Sequence, residues 1–271
     1  MGKYWRVIRL FVLSYGLLCG LFYAYQHLLF FQPKSLDANH IFTFPARMKF
    51  SSVKIPFDAN TEIDVVKFNA DSNYVKPKGV VLFFHGNRFN VEHYSTYAPY
   101  FTSHGYEVWM PDYPGYGRST GEIEAPVLDE LALQLYQMAR KQYEPAQIII
   151  YGKSLGTGIA SRLASERDCR HLFLETPYFS LSSLTQAYAW FLPVPSLLRY
   201  NLRTGEHFDE INAPITIMVA GKDEVIPLDN TLRLLPKMKT TDQLVIVRNA
   251  KHNTLPGFME YQHQVNLMCN R

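Results

Sequence analysis

The sequence predicts an α/β domain built on an eight-stranded, mostly parallel sheet with helices on both faces. From residue 79 onward, short apolar runs alternate with segments whose apolar residues recur at helical spacing. That order gives strands joined by crossover helices. The runs are near-continuous rather than alternating in polarity, as expected of strands buried on both faces. One run, Ile148-Ile149-Ile150-Tyr151, passes through Gly152-Lys153-Ser154-Leu155-Gly156 directly into a small-residue helical segment. The pattern is strand, sharp turn, helix, with a serine at the apex.

The first element stands apart. Residues 10–31 form a 22-residue run without formal charge, interrupted among strongly polar groups only by Ser14, Gln26 and His27. About 20 apolar residues cross a bilayer core as a helix. Trp5, Tyr15, Tyr23, Tyr25, Phe30 and Phe31 suit the two interfaces. Residues 1–34 are therefore expected to be an uncleaved N-terminal transmembrane anchor with its connector, and 35–271 the domain it carries. Lys3, Arg6 and Arg9 precede the run, so the expected topology puts the N-terminus in the cytoplasm and the domain on the outer (periplasmic, lumenal or extracellular) side. A signal peptide would need a small-residue cleavage site, and the stretch from Gly20 to Tyr25 offers no convincing one. A helix buried in the globular part is the remaining alternative.

Pro33 and Pro45 mark a connector over 33–46. Strands follow at 51–56 and 62–69, joined by Asp58-Ala59-Asn60 as a turn, and a first hairpin is expected there. The parallel strands are expected at 80–84, 106–110, 147–151, 171–174, 215–219 and 244–247. The helices between and after them are expected at 91–103, 124–141, 155–167, 228–235 and 256–268. One connection breaks the rhythm. Residues 176–213 are aromatic-rich, too long for an ordinary turn, and read either as a short helical cap or as a surface helical hairpin.

Bulk properties exclude several classes. With 271 residues, 47% hydrophobic and 19% charged, the chain has material for a large core and is not a disordered protein. A formal net charge of +3 without a basic cluster gives no support to nucleic-acid binding. Cys19, Cys169 and Cys269 are too few and too scattered for a disulfide framework, although a Cys169–Cys269 bridge stays open. His93 and His104 lack the spacing and companions of a zinc site, and no metal or organic cofactor is expected.

The chemistry starts at Ser154. A serine hydroxyl is a weak nucleophile until a general base takes its proton, and that base needs an orienting acid. In an α/β sheet such groups converge from loops at the strands' carboxyl ends. Asp223 follows the run at 215–219 and His252 follows the run at 244–247. Ser154, then Asp223, then His252 is the chain order of a hydrolase whose nucleophile sits on a strand-to-helix elbow. Upstream, Phe83-Phe84-His85-Gly86-Asn87 ends another strand, and the backbone amides of Asn87 and Leu155 are the expected oxyanion donors. Gly152-Lys153-Ser154 also matches the tail of a phosphate-binding loop, but Gln147 stands where that motif needs glycine.

Five motifs together resemble the α/β-hydrolase superfamily: Phe84-His85-Gly86-Asn87, the stretch from Pro111 to Ser119, Gly152-Lys153-Ser154-Leu155-Gly156, the stretch from Gly221 to Pro227, and Lys251-His252-Asn253. The likeness covers about 50–268 and is greatest to a membrane-anchored, serine aminopeptidase-like branch. It implies Ser154 as nucleophile, His252 as base, Asp223 as acid and Asp112 as a structural turn residue. Arg88 departs from it, standing where that branch usually has a small residue. The expected activity is cleavage of an ester, thioester or amide of a small hydrophobic or acyl substrate. A serine peptidase and a non-catalytic membrane-tethered interaction module are the alternatives.

Overall fold

The computed structural model describes residues 2–270. Helix α1 (Gly2–Phe30) is continuous and begins well before the apolar run, taking in Lys3, Arg6 and Arg9. Next come β1 (Gln32–Pro33), β2 (Phe50–Pro56) and β3 (Glu62–Phe68). The β2–β3 turn closes as an Asx turn, with Asp58 Oδ1 accepting from the amides of Asn60 at 2.7 Å and Thr61 at 2.8 Å. β4 (Gly79–Phe84) and β5 (Arg88–Phe89) lead to α2 (Val91–Tyr94) and α3 (Ala98–Thr102). A continuous helix was expected over 91–103. The structure breaks it at a 3₁₀ turn, Ser95–Tyr97, beside Pro99, which has no N–H to give to the preceding turn.

The alternation then runs β6 (Tyr106–Pro111), α4 (Ala125–Arg140), β7 (Ile148–Lys153), α5 (Gly156–Glu166) and β8 (His171–Glu175). The connection that breaks the rhythm carries α6 (Leu181–Tyr188), α7 (Val194–Leu197) and a 3₁₀ turn, Gly205–Glu210. β9 (Ile215–Ala220), α8 (Leu228–Leu232), β10 (Gln243–Val247) and α9 (Met259–Asn270) complete the order.

The eight-stranded sheet runs β10-β9-β8-β7-β4-β6-β3-β2. β2 and β3 pair antiparallel, β3 pairs antiparallel with β6, and the remaining pairs are parallel. The alternate side chains of its buried strands supply two cores. Val80, Leu82, Ile148 and Ile150 face α4 and α5 on one side, and Val81, Phe83, Ile149 and Tyr151 face α3 and α9 on the other. β7 lies at the centre, so the turn that ends it opens above the middle of the sheet. Cys169 and Cys269 are both free thiols.

The segment after α1 is not a plain connector. β1 pairs in parallel with β5, Gln32 N–H donates to Asn87 O at 2.8 Å, and Leu36 N–H donates to Gly117 O at 2.6 Å. Those bonds fall on both sides of the 34/35 boundary expected between anchor and domain. The lower half of α1 also packs on the cap. Gln26 is fully buried, Phe31 meets Tyr200 edge to face at 4.8 Å, and Tyr15 Oη donates to Phe191 O at 2.8 Å.

Candidate active site

Ser154 sits between β7 and α5 at φ 49°, the left-handed region that few non-glycine residues adopt. Its neighbours make room for it. A Cβ on Gly152 would lie 2.6 Å from Gly156 O, and one on Gly156 would lie 2.1 Å from Phe84 O. The two glycines therefore let the turn fold back against β4 with the serine hydroxyl projecting at its apex.

The three side chains expected to act together converge. His252 Nε2 is 3.0 Å from Ser154 Oγ, and His252 Nδ1 is 2.8 Å and 3.0 Å from the two carboxylate oxygens of Asp223. Asp223 is itself fixed, since its Oδ1 accepts from the amides of Val225 and Ile226, each at 2.8 Å. With the carboxylate on its Nδ1 side, the imidazole holds its proton there and turns its Nε2 lone pair toward the hydroxyl. Ser154 and His252 retain only 8% and 5% of their surface, so these bonds form with little competing water. Two other carboxylates, Asp209 and Glu224, are not on Nδ1. Asp209 pairs with Lys237, and Glu224 accepts from His252 N–H at 3.3 Å.

The amides named for the oxyanion also border this point. Asn87 and Leu155 line a cavity together with Ser154, and neither N–H is committed to an acceptor within the described residues. The Asn87 carbonyl, by contrast, accepts twice, from Gln32 N–H at 2.8 Å and Tyr116 Oη at 2.7 Å. Those two bonds tie the end of the loop carrying Asn87 to β1 and to Tyr116. Arg88, the departure from the family pattern, is exposed and joins β5 to β1 through its backbone.

A second polar layer lies beneath. Lys153, the residue before the serine, is buried and reaches Glu175 Oε1 at 2.7 Å and the His252 carbonyl at 3.3 Å. Tyr97 and Tyr151 also donate to the Glu175 carboxylate, and Tyr261 meets the Tyr151 hydroxyl at 2.9 Å. Burial pushes these three phenols well above their ordinary pKa, and the Glu175 charge adds to it. They therefore stay protonated and act as donors.

His85 and Asp112 do something else. The His85 ring packs between Tyr94 and Tyr113, with Nδ1 2.7 Å from Gly86 O. Asp112 Oδ1 accepts from Val91 N–H at 2.8 Å, and burial raises its carboxyl pKa. Both groups brace the loop that carries Asn87, and neither is hydrogen-bonded to Ser154 or His252.

The cavity over Ser154 has a volume of about 340 Å³. Its walls were not foreseen. Leu181 and Leu184 come from the cap, Val225 and Ile226 from the loop carrying Asp223, and Phe22, Leu29 and Phe30 from α1. The available signal was Gln26. A strongly polar residue four after Phe22 and three before Leu29 marks one helix face that meets protein, whereas a face turned to lipid alone would be apolar there.

A strained serine on a strand-to-helix elbow, with an imidazole and a carboxylate aligned behind it, is the arrangement that α/β-hydrolases use for their nucleophile. Similarity to known proteins agrees. A family described as serine aminopeptidase, S33, matches residues 75–205. An uncharacterized protein of Mycobacterium tuberculosis is 29% identical over 151 residues, covering 55% of this chain and 54% of that one. Lysophosphatidylserine lipase ABHD12 of Danio rerio is 28% identical over 169 residues, covering 55% of this chain and 44% of its own. The chain thus spans about half the length of these curated relatives. Among solved structures, an esterase of Pyrococcus furiosus superposes with a TM-score of 0.67 at 17% identity, covering 88% of this chain and 96% of that one. The chain has the fold of the α/β-hydrolase superfamily, and its sequence is similar to that superfamily over residues 75–205.

Proposed function

We propose that the protein is a membrane-anchored serine hydrolase that cleaves an acyl ester or thioester through an acyl-enzyme, with Ser154, His252 and Asp223 as its triad. The observation that carries this is the unbroken line from Ser154 Oγ through His252 to Asp223, at 3.0 Å and 2.8 Å, at the floor of an apolar cavity. His252 Nε2 takes the hydroxyl proton as Oγ bonds to the acyl carbon. The carbonyl oxygen becomes an oxyanion facing the amides of Asn87 and Leu155. Collapse breaks the bond to the leaving group, which receives the proton from His252. Water, deprotonated by the same imidazole, then attacks the acyl-enzyme and frees the acid and Ser154.

Asp223 keeps the imidazole in the required tautomer and stabilises its charged form. An acyl substrate is favoured over a peptide because the cavity walls are hydrocarbon, and the named lipase and the esterase among the similar proteins act in the same sense. The length and apolar composition of α1 support an anchor, and Lys3, Arg6 and Arg9 favour a cytoplasmic N-terminus with the domain on the outer side.

Labelling of the full chain by a fluorophosphonate probe tests this reading. The parent is expected to label at one site. Ser154→Ala is expected to lose the label and to lose ester hydrolysis by about 10⁴-fold or more. A folded parent that takes no label, or a Ser154→Ala variant that still labels, sinks the proposal.

A further inference from the structure

Helix α1 does more than tether. Phe22, Gln26 and Leu29 recur on one face, and that face is turned to the catalytic domain. Phe22, Leu29 and Phe30 form one wall of the cavity over Ser154, and Leu181 and Leu184 of α6 form the facing wall. Polar groups around the walls are already engaged within the protein. Thr185 Oγ1 donates to Leu181 O at 2.7 Å, Tyr178 Oη to Leu155 O at 3.1 Å, and Tyr188 Oη to Val225 O at 3.0 Å. An occupant of this space therefore meets hydrocarbon until it reaches Ser154 and the amides. At about 340 Å³ the space lies near the lower end for ligand pockets and holds one chain rather than two.

The position of the cap along α1 supplies a second, independent constraint. Contacts with the domain run from Tyr15 to Phe30, about 22 Å of helix. Residues 2–14, all exposed, extend only about 20 Å. A bilayer core is about 30 Å thick. A spanning α1 must therefore carry some of its docked turns, and the cap beside them, into the leaflet. The tip of the cap suits that depth: Tyr188, Trp190 and Phe191 are exposed, Trp190 at 78%. Tyr188 and Ala189 also border the cavity, so its mouth lies on this immersed side.

We propose that α1 and the cap together form an acyl-chain subsite that opens sideways into the leaflet, and that the substrate is a single-chain, long-acyl ester resident in the bilayer. The chain enters between α1 and α6 and places its ester carbonyl at Ser154. This rests on the serine-hydrolase reading above.

The test uses the full chain in phosphatidylcholine vesicles, with p-nitrophenyl palmitate and p-nitrophenyl acetate as probes and fluorophosphonate labelling as the check on the intact site. The parent is expected to favour palmitate in kcat/KM. Leu29→Trp, which fills the wall, is expected to lower the palmitate-to-acetate ratio at least about tenfold. Leu28→Trp, exposed and outside the lining, keeps the parental ratio. If Leu29→Trp fails to label, Phe22→Ala provides the reading instead, since it enlarges the subsite and is expected to move the preferred chain length upward. A labelled parent that prefers acetate overturns this inference and leaves the hydrolase reading standing, and so does an unaltered ratio in a labelled Leu29→Trp. An unlabelled parent overturns the hydrolase reading. In a Trp5→Phe background, brominated phosphatidylcholine is expected to quench Trp190, because Trp109 is buried in the core. Absence of quenching overturns the leaflet-facing mouth.

Discussion

The floor and the walls of the cavity are built by opposite means. On the floor, Ser154, Asp223 and His252 each sit just past the end of a sheet strand, and polar atoms fix them one by one. On the walls, α1 and α6 come from segments about 150 residues apart in the chain, meet mainly through apolar side chains, and contribute little polar chemistry. In the proposed reaction the floor tolerates little displacement, because a base must lie within hydrogen-bond reach of its proton. The walls specify what is brought to it, and packing allows them to vary by whole side chains. Under the proposed function, chemistry is local to turns, and selection belongs to long-range docking.

The sharpest way to break that contrast is at the floor. In Asp223→Asn, the amide oxygen keeps the Val225 and Ile226 N–H groups, which leaves the NH₂ facing His252 Nδ1. Nδ1 must then accept, so the proton moves to Nε2 and the ring can no longer take one from Ser154. The geometry survives and kcat falls about 10⁴-fold. Burst and steady-state kinetics on p-nitrophenyl acetate measure this. A loss of less than about tenfold would mean that the carboxylate is not orienting the base.

One layer down, stability and chemistry should separate. Lys153→Met leaves the Glu175 carboxylate buried without its cation, and breaking a buried pair in this way costs about 3–5 kcal/mol. Urea unfolding is expected to show that loss, and Glu175→Gln added to Lys153→Met recovers part of it. The effect on kcat should be far smaller than that of Asp223→Asn, because Lys153 reaches the triad only through the His252 carbonyl at 3.3 Å. If the two variants lose turnover equally, the buried layer belongs to the catalytic floor.

The same division decides what the sequence could disclose. That Ser154, Asp223, His252, Asn87 and Leu155 come together was legible because the placing of each depends on a few adjacent residues. Gly152 and Gly156 must be glycine where a Cβ has no room, and Asp223 needs a turn that presents the amides of Val225 and Ile226. The positions of the central strands were legible for a related reason: β4, β7, β8 and β9 are built on near-continuous apolar runs. The pairing of β1 with β5 was hidden, because two-residue strands carry no periodicity and Pro33 argues against one. Docking of α1 was hidden too, since Phe22, Leu29 and Phe30 satisfy a lipid-facing helix and a pocket wall equally well. Their partners lie in the irregular cap, where apolar residues fit several packings.

Gln26 offers the smallest and most pointed intervention, on the wall side. Its side chain imitates a peptide group: Nε2 donates to Leu197 O at 2.9 Å, and Oε1 accepts from Arg199 N–H at 2.8 Å. Gln26→Leu keeps the helix and most of the buried volume but leaves both backbone groups unpaired, a cost of about 1–3 kcal/mol. The cap should then detach locally at least about fivefold more often, since 1 kcal/mol corresponds to about that factor. Trypsin reads this directly at Arg199, whose side chain is exposed while its backbone N–H is held by Gln26. Cleavage there is expected to accelerate by about that factor, with the triad geometry and global unfolding little changed, because the floor does not depend on α1. Unaltered cleavage at Arg199 would mean that apolar packing alone holds the cap to the helix. Faster cleavage together with a collapse of Ser154 labelling would show that the walls support the floor after all, and that the two halves fold as one.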